Sequence, residues 1–180
     1  MSDFLYSIRL ITNVLTFPGI IIHKLFYQFF CRILSIPVLE VVYFRLGDPA
    51  GYVLHETVTG RWKTILICIG PFLASTFFGV LIALPAVMSI FSGGDSSVLD
   101  WLKLYLGISM AVHAFPSTGN VDAILKLMKE ENTPLRIKMA GYPVAILMYP
   151  GSEAGFFWHR MVYGTALVIG IPQLISFVYC

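Results

Sequence analysis

Two apolar runs, residues 65–91 and 162–179, limit what this chain can become. Each is close to the roughly 20 residues that cross a bilayer as a helix. No Asp, Glu, Lys or Arg interrupts 65–91. Only 12% of the 180 residues are charged and 57% are hydrophobic, whereas a soluble domain carries about a quarter of its residues charged. The expectation is an integral membrane protein. A net charge of +2 is too small to argue for nucleic acid, and topology is the better explanation of the basic residues.

Residues 1–180 read as one domain, without an internal repeat, a linker or a low-complexity tract. The N-terminus has Asp3, no strongly basic region and no small-residue cleavage site before Phe17, which argues against a cleavable signal. Cys31, Cys68 and Cys180 form no Cys-x-x-Cys unit and are expected as small buried hydrophobes.

In chain order, residues 2–15 suggest an amphipathic helix lying at the membrane surface. A first span is expected over 16–34, with Thr16 or Phe17 at its cap and Pro18 in its first turn. Pro37 stops that helix. Residues 39–46 and 51–58 read as a β-hairpin (39–58 overall) around the turn Gly47-Asp48-Pro49-Ala50-Gly51. At membrane depth such a hairpin has to be buried in protein or line a polar cavity. A second span covers 63–91, kinked at Pro71 and Pro85, and a third covers 99–115. A short amphipathic helix follows at 122–131, then an apolar stretch of open geometry at 134–150. A fourth span covers 156–179, bent near Pro172. The fold class expected is therefore a membrane α-helical bundle of about four transmembrane helices with an inserted hairpin. Arg32, Arg45, Arg61 and Lys63 follow the first span, and Lys126, Lys129, Arg136 and Lys138 follow the third, which places both loops on the cytoplasm-like side.

Ionisable groups inside membrane helices cost roughly 2.5–3.5 kcal/mol each. His23, Lys24 and His113 nevertheless fall within expected spans. The plain explanation is that each faces the bundle, snorkels or bonds a backbone carbonyl. A sharper one comes from their order: FPGIIIHKLFY, then GYVLHE in the hairpin, then HAFPSTGNVDA after the third span. Residues four apart share a helix face, which is how His-Glu-x-x-His brings two imidazoles to one metal while the Glu handles the proton. Over about residues 16–125 the chain resembles the site-2-protease-like intramembrane zinc metalloproteases, especially short prokaryotic members.

The resemblance implies that His-Glu-x-x-His falls on His23, Lys24 and Tyr27, and that the family's Asp ligand falls on Asp122. It also implies a prokaryotic inner membrane, with an organellar membrane as the other setting. His23 and Asp122 suit zinc. Tyr27 is a poor second ligand, because a phenol ionises near pH 10. Lys24, at the general-base position, repels a dication and when protonated has no lone pair for water's proton. The expectation leans against an enzyme: a degenerate metalloprotease-like protein without a cofactor, acting as a binding or accessory subunit for another membrane protein. An extended segment of that partner would add to the hairpin edge as a strand.

Several alternatives stay open. The chain can be an active zinc hydrolase using His23, Asp122 and one of His55 or His113. Lys24 can act as a neutral base without metal, or pair with Asp122 or Glu56 and fill the metal position with an ion pair. The whole can also be a small structural subunit of a membrane complex. Glu40 and Glu56 are expected as exposed strand residues, with the rim of a cavity as the alternative. Residues 156–160 (FFWHR) are expected as an interfacial belt, and Gly70, Ala74, Ser75 and Gly79 as a close helix contact.

Overall fold

The computed structural model describes residues 2–91, 96–152 and 157–179. Among these are seven helices and one two-stranded sheet: α1 (Ser2–Leu15), α2 (Phe17–Ile33), β1 (Val38–Val42), β2 (Tyr52–His55), α3 (Arg61–Phe91), α4 (Val98–Val112), α5 (Thr118–Lys129), α6 (Leu135–Ser152) and α7 (Phe157–Tyr179).

α3 is the pillar. It packs against α2, α4, α5, α6 and α7, and its 31 residues amount to about 46 Å of helix. Pro71 and Pro85 both lie within it. Glycine sets its closest crossing. A Cβ on Gly107 of α4 would lie 2.5 Å from the Gly79 carbonyl oxygen and 2.7 Å from Ala83 Cβ. Of the expected small residues, Gly79 thus meets α4, Gly70 lies under the Phe30 ring and Ser75 is fully buried. Cys31 and Cys68 are buried free thiols; Cys180 lies outside the described residues.

α1 and α2 meet at a 78° bend. Pro18 occupies the first turn of α2, and the Thr16 side chain does not cap it. Ser109, from α4, takes that task. Its hydroxyl accepts from the Gly19 N–H and donates to the Thr16 carbonyl, both at 2.8 Å. The other end of α2 closes in a Schellman motif: Ile36 N–H reaches the Cys31 carbonyl, Ser35 N–H reaches that of Arg32, and Ser35 adopts φ 54°. Ile36 then packs with Cys31, Tyr27 and Ile67.

The hairpin is shorter than expected. Its antiparallel ladder pairs Glu40 with Leu54, Val41 with Val53 and Val42 with Tyr52, with an irregularity between Val38 and Glu40. Residues 43–51 form the connection rather than strand, because Arg45 folds onto it: Nε donates to the Pro49 carbonyl and its N–H to that of Ala50. Glu40 is exposed, as expected, and accepts from the Tyr52 phenol at 2.8 Å.

The span count is narrower than the four expected. Among the described residues α3 is one helix long and apolar enough to cross a membrane, and the bent α1–α2 pair passes the same test taken together. α4 stops at Val112, with His113 as its C-cap ahead of Pro116, so its 15 residues reach only about 22 Å. Residues 135–152, whose geometry the sequence left open, are helical and pack against α5.

Candidate functional site

α2 carries the site. His23 and Tyr27, four residues apart, lie on one face and are 4% and 5% exposed. Lys24, about 100° round the helix from His23, lines a cavity of about 270 Å³ together with His23, His113, Arg160, Arg9 and Asp48. The turn of the hairpin closes one wall through Asp48–Gly51, and Ser117 and Thr118 at the start of α5 close another. The hairpin therefore does line a polar cavity, the condition set for it above.

Each imidazole is held from one side. His23 Nδ1 lies 3.0 Å from Ser75 Oγ on α3. His113 Nε2 lies 2.6 Å from Thr16 Oγ1. The Thr16 hydroxyl gives its proton to the Thr12 carbonyl, so toward His113 it is the acceptor and Nε2 donates. Arg9 pairs with Asp48 at 2.7 Å across the mouth. Among the described residues no carboxylate pairs with Lys24. The expected partners are elsewhere: Asp122 is exposed, and Glu56 lines a second, larger cavity of about 1010 Å³.

That second cavity lies beside the hairpin's end and α5, and His55 and Asn120 line it. They also bind Tyr27. The Tyr27 phenol lies 2.9 Å from His55 Nε2 and donates to Asn120 Oδ1 at 3.0 Å. His55 Nδ1 meets the Glu56 carbonyl oxygen at 2.7 Å, and the Tyr27 and His55 rings stack 5.7 Å apart.

The residues proposed from the sequence therefore separate into two groups. His23, Lys24 and His113 share the first cavity, whereas Tyr27 and His55 meet at the edge of the second. Asp122 joins neither. The helix period explains this: Asn120 faces Tyr27, and two positions on, about 200° round α5, the side chain points away. The sequence reasoning missed Asn120, Ser75 as a partner of His23, and the basic pair Arg9 and Arg160. Arg160 had been assigned to an interfacial belt. Trp158 is exposed as a belt residue would be, but Arg160 lines the cavity; Phe156 lies outside the described residues. The available signal was a lone arginine at the entrance of an apolar run.

The donor set does not fit zinc. Among the described residues no three His, Cys, Asp or Glu side chains come together around one point. Two imidazoles share the cavity, but an ammonium and two guanidinium groups stand with them, and these repel a dication. No known family profile, curated protein or solved structure matches this chain, so geometry has to carry the functional conclusion.

Proposed function

We propose that this protein is a membrane-embedded binding or accessory protein, built on a metalloprotease-like arrangement whose metal position is held by direct hydrogen bonds. The observation that carries this reading is the engagement of the two frame residues: His23 by Ser75, and Tyr27 by His55 and Asn120. A buried phenol committed to two partners is a structural joint rather than an open ligand. The exposed position of Asp122 weighs against the divergent hydrolase, which needs that carboxylate beside His23.

A membrane setting is supported by the outer face of α3, where Leu66, Leu73, Phe77, Phe78 and Leu81 are all exposed. Water penalises an apolar face of that size and lipid does not. The partner is another membrane protein. Among the described residues β1 and β2 pair with each other alone, so each has an edge without a strand partner there, which an extended segment can take. With Lys24 in place of the Glu that would activate water, such a segment is held and not cut.

The test is the metal content of the purified full-length protein beside His23→Ala. Less than a tenth of an equivalent of zinc in both is expected. One equivalent in the wild type, lost in the variant, would overturn the reading.

A further inference from the structure

We infer that the second cavity, of about 1010 Å³ at the start of α3, is a lipid headgroup site, and that it takes phosphatidylethanolamine. Four charged side chains line it, Arg61 and Lys126 against Glu56 and Glu130. Among the described residues none of these side chains has an ion pair or a hydrogen bond. His55, also in the lining, has both ring nitrogens engaged, at the Glu56 carbonyl and the Tyr27 phenol. The wall is thus balanced, with two charges of each sign. A lone anion or cation would meet as much repulsion as attraction there, whereas a zwitterion turns each end to its opposite. The lipid's phosphodiester accepts from the Arg61 guanidinium and the Lys126 ammonium, and its primary ammonium donates to the Glu56 and Glu130 carboxylates. A choline headgroup has no N–H to give, and a single indole, Trp62, does not make the aromatic cage that holds a quaternary ammonium.

The apolar surroundings favour a lipid over a soluble zwitterion. Ile67, Leu127 and Ile137 are buried and form the inner part of the lining. Trp62 belongs both to the cavity and to the outer face of α3, where Trp62, Leu66, Leu73 and Phe77 are all exposed. At about 100° per residue these four lie within about 60° of one another, in a stripe about 22 Å long. That exceeds the roughly 15 Å that one leaflet contributes to the hydrocarbon core. An acyl chain can therefore lie along the stripe while its headgroup occupies the cavity, with the indole at the boundary where tryptophan concentrates. Arg61 and Lys126 come from the two loops whose basic residues assign them to one side of the bilayer, and both reach this cavity. The site rests on the membrane setting proposed above, and not on the fate of the metal position.

The experiment uses the full-length protein in maltoside micelles and reads thermal unfolding. Phosphatidylethanolamine, phosphatidylcholine or phosphatidylglycerol with the same acyl chains is added over a range of mole fractions. The wild type is expected to gain stability saturably with phosphatidylethanolamine and to need about tenfold more of either other lipid for the same gain. Glu56→Gln with Glu130→Gln is expected to remove the preference over phosphatidylcholine. Lys126→Gln is expected to need about tenfold more phosphatidylethanolamine, and Lys126→Arg to keep the wild-type response. All three side chains are exposed, so the fold does not depend on them. No saturable gain in the wild type, equal gains from the ethanolamine and choline lipids, or an unchanged preference in the double glutamine variant would each overturn the site. An equal gain from glycerophosphoethanolamine, which has the headgroup without the chains, would mark a soluble ligand and overturn the lipid. Carbonate washing of membranes from expressing cells tests the setting separately. Protein released by the wash removes the membrane reading, whereas protein retained without a response to phosphatidylethanolamine removes the site alone.

Discussion

Tyr27 and His55 are joined twice, by a 2.9 Å contact between phenol oxygen and Nε2 and by stacked rings 5.7 Å apart. The contact locks the end of β2 to the middle of α2, and Asn120 extends it to α5 at 3.0 Å. Tyr27→Phe keeps the ring and the stack but removes the oxygen that both partners use. A loss of about 0.5–1.5 kcal/mol is expected, since two half-buried polar groups each lose a hydrogen bond. Thermal unfolding in detergent measures it. In a cycle with Asn120→Ala the two changes are expected to couple by about 0.5–3 kcal/mol; strict additivity would show that the three residues do not act as one joint.

Ser35 ends α2 in the left-handed region at φ 54°. A Cβ there is unfavourable by roughly 1–2 kcal/mol, part of which glycine's greater unfolded-state freedom offsets. Ser35→Gly is therefore expected to stabilise the protein by up to about 1 kcal/mol. A rise in the unfolding midpoint checks this; a fall would mean that the Schellman geometry does not govern the end of α2.

Tyr52 gives the hairpin a pH dependence. Its phenol donates to Glu40 Oε1 at 2.8 Å, and this hydrogen bond, with a smaller effect of burial and the carboxylate's charge, raises its pKa above the ordinary phenol value. A raised pKa means that the protonated form is the one the fold favours. The contribution is complete below about pH 10, the unfolded value, and is lost as pH rises through the higher folded value. Absorbance at 295 nm, wild type minus Tyr52→Phe, is expected to titrate above that of a free tyrosine. Midpoints that coincide would mean the Glu40 contact is not held.

Local signals gave most of the elements because their causes are local. Pro18 and the Gly/Asp/Pro turn at 47–51 mark helix start and turn through backbone geometry alone, and α2, α3 and α7 fall within a residue or two of their expected limits. The strand lengths were less legible, because Arg45 shortens the ladder through contacts specific to its own loop. The third expected span ends three residues early because apolar composition does not reveal where a cap such as His113 ends a helix.

The site was legible only in part, and the frame spacing shows why. His23 and Tyr27 fall on one buried face, as residues four apart must. Nothing local indicates which side of α5 meets them. Asp122 has the chemistry a ligand set asks for, yet Asn120 is the residue that arrives.

By itself the sequence determined that an apolar chain would form long helices around a hairpin, with a histidine and a lysine embedded in the second of them. Those outcomes follow from backbone preferences and from the expulsion of apolar surface from water, which act along short stretches. Only the tertiary structure decided that Arg9, Arg160 and the start of α5 would gather around Lys24. Charges more than a hundred residues apart have no common signal in the sequence; their meeting depends on how four helices pack, and on which face each turns inward.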